Sequence, residues 1–104
     1  MTWLVNISLR AQRDLTGFYE AIGAGQPGAA RRWYEGLRRA ILSLETMPHR
    51  CPVVRKRAQI RELLYGRKPN VYLVLYRIRE KDREVDVLHI RHGARRRFSS
   101  SELR

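Results

Sequence analysis

Val71-Tyr72-Leu73-Val74-Leu75-Tyr76-Arg77-Ile78 is the stretch that decides the fold. It is apolar on both alternating faces, as a strand covered on both sides would be. Glu80-Lys81-Asp82-Arg83-Glu84 follows, too polar to be buried, and reads as a hairpin connection. A further strand, Val85-Asp86-Val87-Leu88-His89-Ile90, leads into Arg91-His92-Gly93-Ala94-Arg95-Arg96-Arg97-Phe98. A β-rich core that ends in a run of guanidinium groups is suited to an anionic partner.

Working backwards, Gly66-Arg67-Lys68-Pro69-Asn70 reads as a turn and Gln59 to Tyr65 as the preceding strand. Pro48 to Arg57 reads as a cation-loaded loop held by Pro48 and Pro52. Upstream, Ala30, Trp33, Tyr34, Leu37, Ile41 and Leu44 mark one face of a helix, with Pro27 in its first turn; Arg31, Arg32, Glu35, Arg38 and Arg39 mark the other. Gly23-Ala24-Gly25-Gln26 breaks this helix from an earlier one carrying Ala11, Leu15, Phe18, Tyr19 and Ile22. Ser8 reads as the N-cap of that earlier helix, and Trp3 to Ile7 as a short first strand. Both apolar stripes, aromatics included, read as core.

The order β-α-α-β-β-β predicts an α+β domain in which a helical hairpin covers one face of a mainly antiparallel four-stranded sheet. The other face is expected to be open, ringed by basic side chains, and available to a partner. At 104 residues the expectation is one domain spanning 1–104, with residues 99–104 fraying.

Composition narrows the classes. Apolar residues make up 43% of the chain, which suits a globular protein. The net charge of +12 is unevenly placed: residues 49–68 carry seven cations against one anion and residues 91–104 five against one, while 69–90 balance. Nineteen of the 22 cations are Arg, whose planar fork matches phosphate and carboxylate. The charge is then either a solvated surface or the footprint of an acidic partner, nucleic acid or protein. With Cys51 the lone cysteine, no internal disulfide is possible, and a cytoplasmic setting is expected. No run approaches the roughly 20 apolar residues of a membrane span, and no signal-peptide apolar region opens the chain. His49, His89 and His92 lack carboxylates at ligand spacing, so no metal is expected, and no phosphate-cradling glycine loop calls for a cofactor.

Metal-free RNA cleavage would need a base for the 2′-OH, cations for the phosphorane charge and an acid for the leaving oxygen. Tyr65, Tyr72, Tyr76, His89 and His92 could move protons; Arg61, Arg77, Arg91 and Arg95 could supply charge. Each also has a structural reading: Tyr72 and Tyr76 share a face with Val74 and Ile78 and suit the core, His89 suits a hydrogen-bonded strand position, and His92 suits a strand-end turn. For contact with a target or a neutralising partner, the candidates are Arg55, Lys56, Arg57, Arg61, Arg91, His92, Arg95, Arg96, Arg97 and Phe98.

A set of local patterns, weak singly but fairly specific in this order, carries a resemblance across nearly the whole chain. They are Ser8-x-x-Ala11-x-x-Asp14-Leu15, Ala29-Ala30, Leu44 with Met47-Pro48, and Arg61-Glu62-Leu63. Tyr72-x-x-x-Tyr76-Arg77 and Val87-Leu88-x-Ile90-x-His92-Gly93-x-Arg95 complete it. In these the chain resembles the RelE/ParE superfamily, the toxin halves of bacterial type II toxin–antitoxin systems. The resemblance implies one of two activities: RelE-like members cut messenger RNA on the ribosome, and ParE-like members poison DNA gyrase without being nucleases. Leu73 and Gly93 stand where RelE-like members have catalytic arginines, and Phe98 stands in the terminal tyrosine region. The ending is closer to the ParE-like branch, which implies a growth inhibitor of the plasmid-stabilisation kind. A nonenzymatic nucleic-acid-binding module is a third reading, from the charge alone. The resemblance also implies an antitoxin; opposite a +12 domain it should be acidic in its C-terminal half, disordered alone and folded on its partner.

Overall fold

A computed structural model describes residues 2–93. The elements are β1 (Leu4–Ile7), α1 (Leu9–Gly25), α2 (Pro27–Leu42), two 3-10 turns (Ser43–Glu45 and Pro48–Arg50), β2 (Val53–Arg55), β3 (Ile60–Arg67), β4 (Asn70–Arg79) and β5 (Glu84–His92). The expected helical hairpin and meander are present, but the sheet is five-stranded and mixed rather than four-stranded. Its order is β1-β5-β4-β3-β2. The extra strand, β2, lies inside the stretch expected to be a loop. Its β-branched Val53 and Val54 favour extended backbone, and Val53 pairs with Arg61 while Glu62 donates its N–H to the Pro52 carbonyl. β1 runs parallel to β5, from Leu4 opposite Glu84 to Ile7 opposite Val87.

β4 is the central strand, as its two-faced apolar pattern requires, and pairs antiparallel with both β3 and β5. Val74 and Tyr76 of β4 join Val85, Val87 and Ile90 of β5 in the core with Ala11, Leu37, Ile41 and Leu44. Strict alternation would put His89, not Ile90, beside Val85 and Val87. The register slips between Leu75 opposite His89 and Tyr76 opposite Val87, leaving Leu88 as a bulge. That one extra residue returns Ile90 to the helix side and turns His89 and Arg91 to the distal face.

Helix α1 continues through Gly23–Gly25, so the break between the helices is only Gln26. Pro27 occupies the first turn of α2. Tyr65 seats against α2 at Gly36, where a Cβ would overlap its hydroxyl, and donates that hydroxyl to the Trp33 carbonyl at 3.2 Å. Ser8 caps α1 as expected, accepting from Ala11 N–H at 3.1 Å, and its hydroxyl also donates to Leu88 O at 3.0 Å. One side chain therefore starts the helix and ties it to the bulge. Ser8→Ala removes both bonds and is expected to cost about 1–2 kcal/mol, read as a lower urea midpoint at unchanged m-value; an unchanged midpoint would contradict the dual role.

Candidate functional site

The register settles which candidate residues share a surface. On the face turned from the Val74–Tyr76 core, which α1 reaches at the edge of β5, Leu75 lies opposite His89 and Leu73 opposite Arg91, with Arg77 two residues along β4 opposite Asp86. Arg77, His89 and Arg91 are thus brought to one face. Arg61, opposite Tyr76, and His92, opposite Tyr72, fall on the helix side instead. The distal face is not the open surface expected: Leu75 is 1% exposed, Arg91 3% and His89 8%.

What each group can do follows from its partners. Where β1 ends at Ile7, the edge of β5 would be left unpaired, and α1 closes it. Ser8 N–H donates to Val87 O, and the Asp14 carboxylate accepts from the Ile90 N–H at 3.0 Å. The same Asp14 oxygen accepts from His89 Nδ1 at 2.6 Å, while Arg10 Nη2 points at His89 Nε2 at 3.4 Å. A guanidinium has no lone pair to offer, so Nε2 is the acceptor and the ring is neutral. Burial holds the His89 pKa below its ordinary value, the Arg10 and Arg91 charges add to this, and the Asp14 bond opposes it. Both ring nitrogens are therefore engaged within the fold. Arg61 is engaged too, donating Nη1 to the carbonyls of His49 at 2.9 Å and Cys51 at 2.6 Å. Through Nη1 it pins the 48–52 segment. His92 lies edge-on to Tyr72 at 4.9 Å and meets Asn70 Oδ1 at 3.1 Å, a strand-end role.

Arg77 is exposed. Its neighbour Arg79 holds Asp82, Glu84 and Asp86 at 2.7–2.9 Å, and Asn6 joins Glu84 and Asp86 from β1. The Arg79 hydrogen bond holds Asp86 below the usual carboxylate range. Arg79→Ala is expected to return Asp86 towards its ordinary 3.8, followed through its carboxyl carbon shift by NMR; an unmoved titration would place the effect elsewhere. Arg55 is half-buried in β2, and Lys56 and Arg57 are exposed in the turn after it. The candidates Arg95, Arg96, Arg97 and Phe98, and the segment 99–104, lie outside the described residues.

A second surface lies on the helices, where the aromatic stripes were expected to be wholly core. Tyr19 and Tyr34 are instead 41% and 40% exposed and meet edge-on at 6.0 Å. Two adjoining hollows share Leu15 and Tyr34: one reaches Tyr19 and Thr16, the other Ile7, Ile41 and Leu42 with Arg38 on its rim. Together they form an apolar groove between α1 and α2. Its signal in the sequence is slight, two aromatics at the flanks of stripes whose centres are buried.

The profile of the ParE toxin of type II toxin–antitoxin systems, parDE, matches residues 5–97. No curated protein matches the chain. Among solved structures, the chain is similar to one in the crystal structure of the RelBE2 toxin–antitoxin complex from Mycobacterium tuberculosis. The TM-score is 0.62 at 23% identity, over 88% of this chain and 92% of that one. At that identity the likeness is one of fold.

Proposed function

Because the chain belongs to the ParE toxin family and is a type II toxin, we propose that it arrests growth by binding DNA gyrase and that it is not a nuclease. The observation that carries this reading is the commitment of the best proton-transfer group on the sheet. His89 is closed between Asp14 and Arg10, and Arg61 holds two backbone carbonyls through Nη1. A general base must reach the proton it removes, and an imidazole with both nitrogens engaged at 8% exposure is poorly placed for that. Exposed cations and an apolar groove remain, and these are means of binding. The RelE-like alternative draws on the clustering of Arg77, His89 and Arg91 on one face, but that cluster lacks a free acid or base.

The partner that neutralises the toxin is an antitoxin with an acidic, amphipathic segment. Its apolar anchors fill the Leu15–Tyr19–Tyr34 groove and carry most of the affinity. The experiment is induction in cells with and without the adjoining gene. Loss of supercoiling with intact transcripts supports the reading; rapid codon-aligned cuts in messenger RNA would reverse it. Tyr19→Ala with Tyr34→Ala should leave growth arrest in place and abolish neutralisation.

A further inference from the structure

We propose that the outward face of α2 binds the phosphate backbone of duplex DNA. This goes beyond the toxin reading and does not depend on which target that toxin has. Gly28, Arg31, Arg32, Glu35, Arg38 and Arg39 are all exposed; Gly28, Arg32, Glu35 and Arg39 face away from the buried Ala30, Leu37 and Ile41, and Arg31 and Arg38 flank them on the side of the groove. Four of the six are arginines. Arg31 and Arg38, and likewise Arg32 and Arg39, are seven residues apart, so each pair stacks on one line of the helix with about 10.5 Å between its members. Glu35 is the lone anion on the arc and pairs with Arg31 at 3.3 Å. Among the described residues, the guanidiniums of Arg32, Arg38 and Arg39 meet no carboxylate.

The chemistry of this arc favours phosphate over protein. An interface with another protein draws its energy from buried apolar and aromatic anchors, and no large apolar side chain is exposed among these arginines; the anchors lie in the adjoining groove, which Arg38 borders. Backbone binding to DNA needs only cations that displace counterions. A duplex carries one charge per about 1.7 Å with both strands counted, so roughly seven phosphates lie along the about 12 Å from Arg31 to Arg39. Guanidinium forks donate to such oxygens in pairs.

The test is fluorescence anisotropy of a labelled 20-base-pair duplex titrated with the intact protein between 50 and 200 mM salt. Arg32→Ala with Arg39→Ala, both on the solvent face, should lower the log–log salt slope by about 2 and weaken binding tens-fold at 0.1 M salt. Lys56→Ala with Arg57→Ala, an equal charge loss in an exposed turn, should leave the slope within about 0.3 of the parent. Circular dichroism establishes that both variants keep the fold. The proposal is overturned if the duplex does not bind, or if the two double variants lose affinity equally, which would make the effect one of net charge. It is also overturned if a polyglutamate peptide of matched charge displaces the duplex at equal concentration, which would make the face a carboxylate site.

Discussion

Tyr76→Ala is expected to lower the unfolding free energy by about 3–5 kcal/mol, the largest single effect in the protein. Tyr76 is fully buried at the centre of β4, and its hydroxyl donates to the Pro48 carbonyl at 2.6 Å. Burial pushes the phenol pKa well above its usual range, and the neighbouring Cys51 thiol adds to the rise. Pro48 and Cys51 bound the 3-10 turn that Arg61 also holds, so the alanine variant both opens a cavity and frees that turn. Tyr76→Phe separates the two contributions. It keeps the ring and leaves the Pro48 carbonyl without its donor, which should cost about 1–2 kcal/mol. Urea unfolding checks both. Equal losses in the two variants would assign everything to the hydroxyl, and no loss in either would deny Tyr76 its place as keystone of the core.

Asp14→Ala is expected to cost about 2–3 kcal/mol. One carboxylate oxygen there satisfies both the Ile90 N–H and His89 Nδ1. Removing it strands a backbone donor at the one stretch of β5 that β1 does not cover. The same cluster sets a pH dependence. The pKa of His89 is lowered on folding, so the unfolded chain binds the proton more readily. Its contribution is therefore complete above the unfolded value of about 6.5 and is lost as pH falls from there towards the lower folded value. The parent should lose stability between pH 7.5 and 5.5 faster than His89→Gln, which keeps a donor for Asp14 and cannot titrate. Parallel curves for the two would contradict the neutral, closed imidazole.

Much of the fold was legible in the chain because its period changes are sharp. The two-faced pattern of residues 71–78 marks a central strand, the stripe ending at Leu44 marks α2, and Ser8 and Pro27 mark helix starts at the positions observed. What escaped was set by single residues and long-range pairing. β2 is three residues long and exists because β3 offers an edge to Val53. The parallel seat of β1 depends on residues 80 positions away. The bulge at Leu88 leaves no local mark, yet it decides which side of the sheet His89 and Ile90 occupy. The candidate site was read less well for the same reason. Arg61 and His92 read as contact candidates, and the register that sets them on the helix side, with Arg61 on the His49 carbonyl and His92 on Tyr72 and Asn70, has no local mark. Asp14 was visible only as part of a family pattern, and Tyr19 and Tyr34 looked like core because a stripe does not reveal how far round the helix its burial extends.

The most direct test of a gyrase-binding toxin without nuclease chemistry pairs two reactions on one purified sample. In one, gyrase supercoils relaxed plasmid; in the other, ribosomes translate a defined messenger RNA, with the toxin at equal concentration in both. Inhibited supercoiling beside uncut message is the predicted result, and codon-spaced cuts beside unimpaired supercoiling would contradict it.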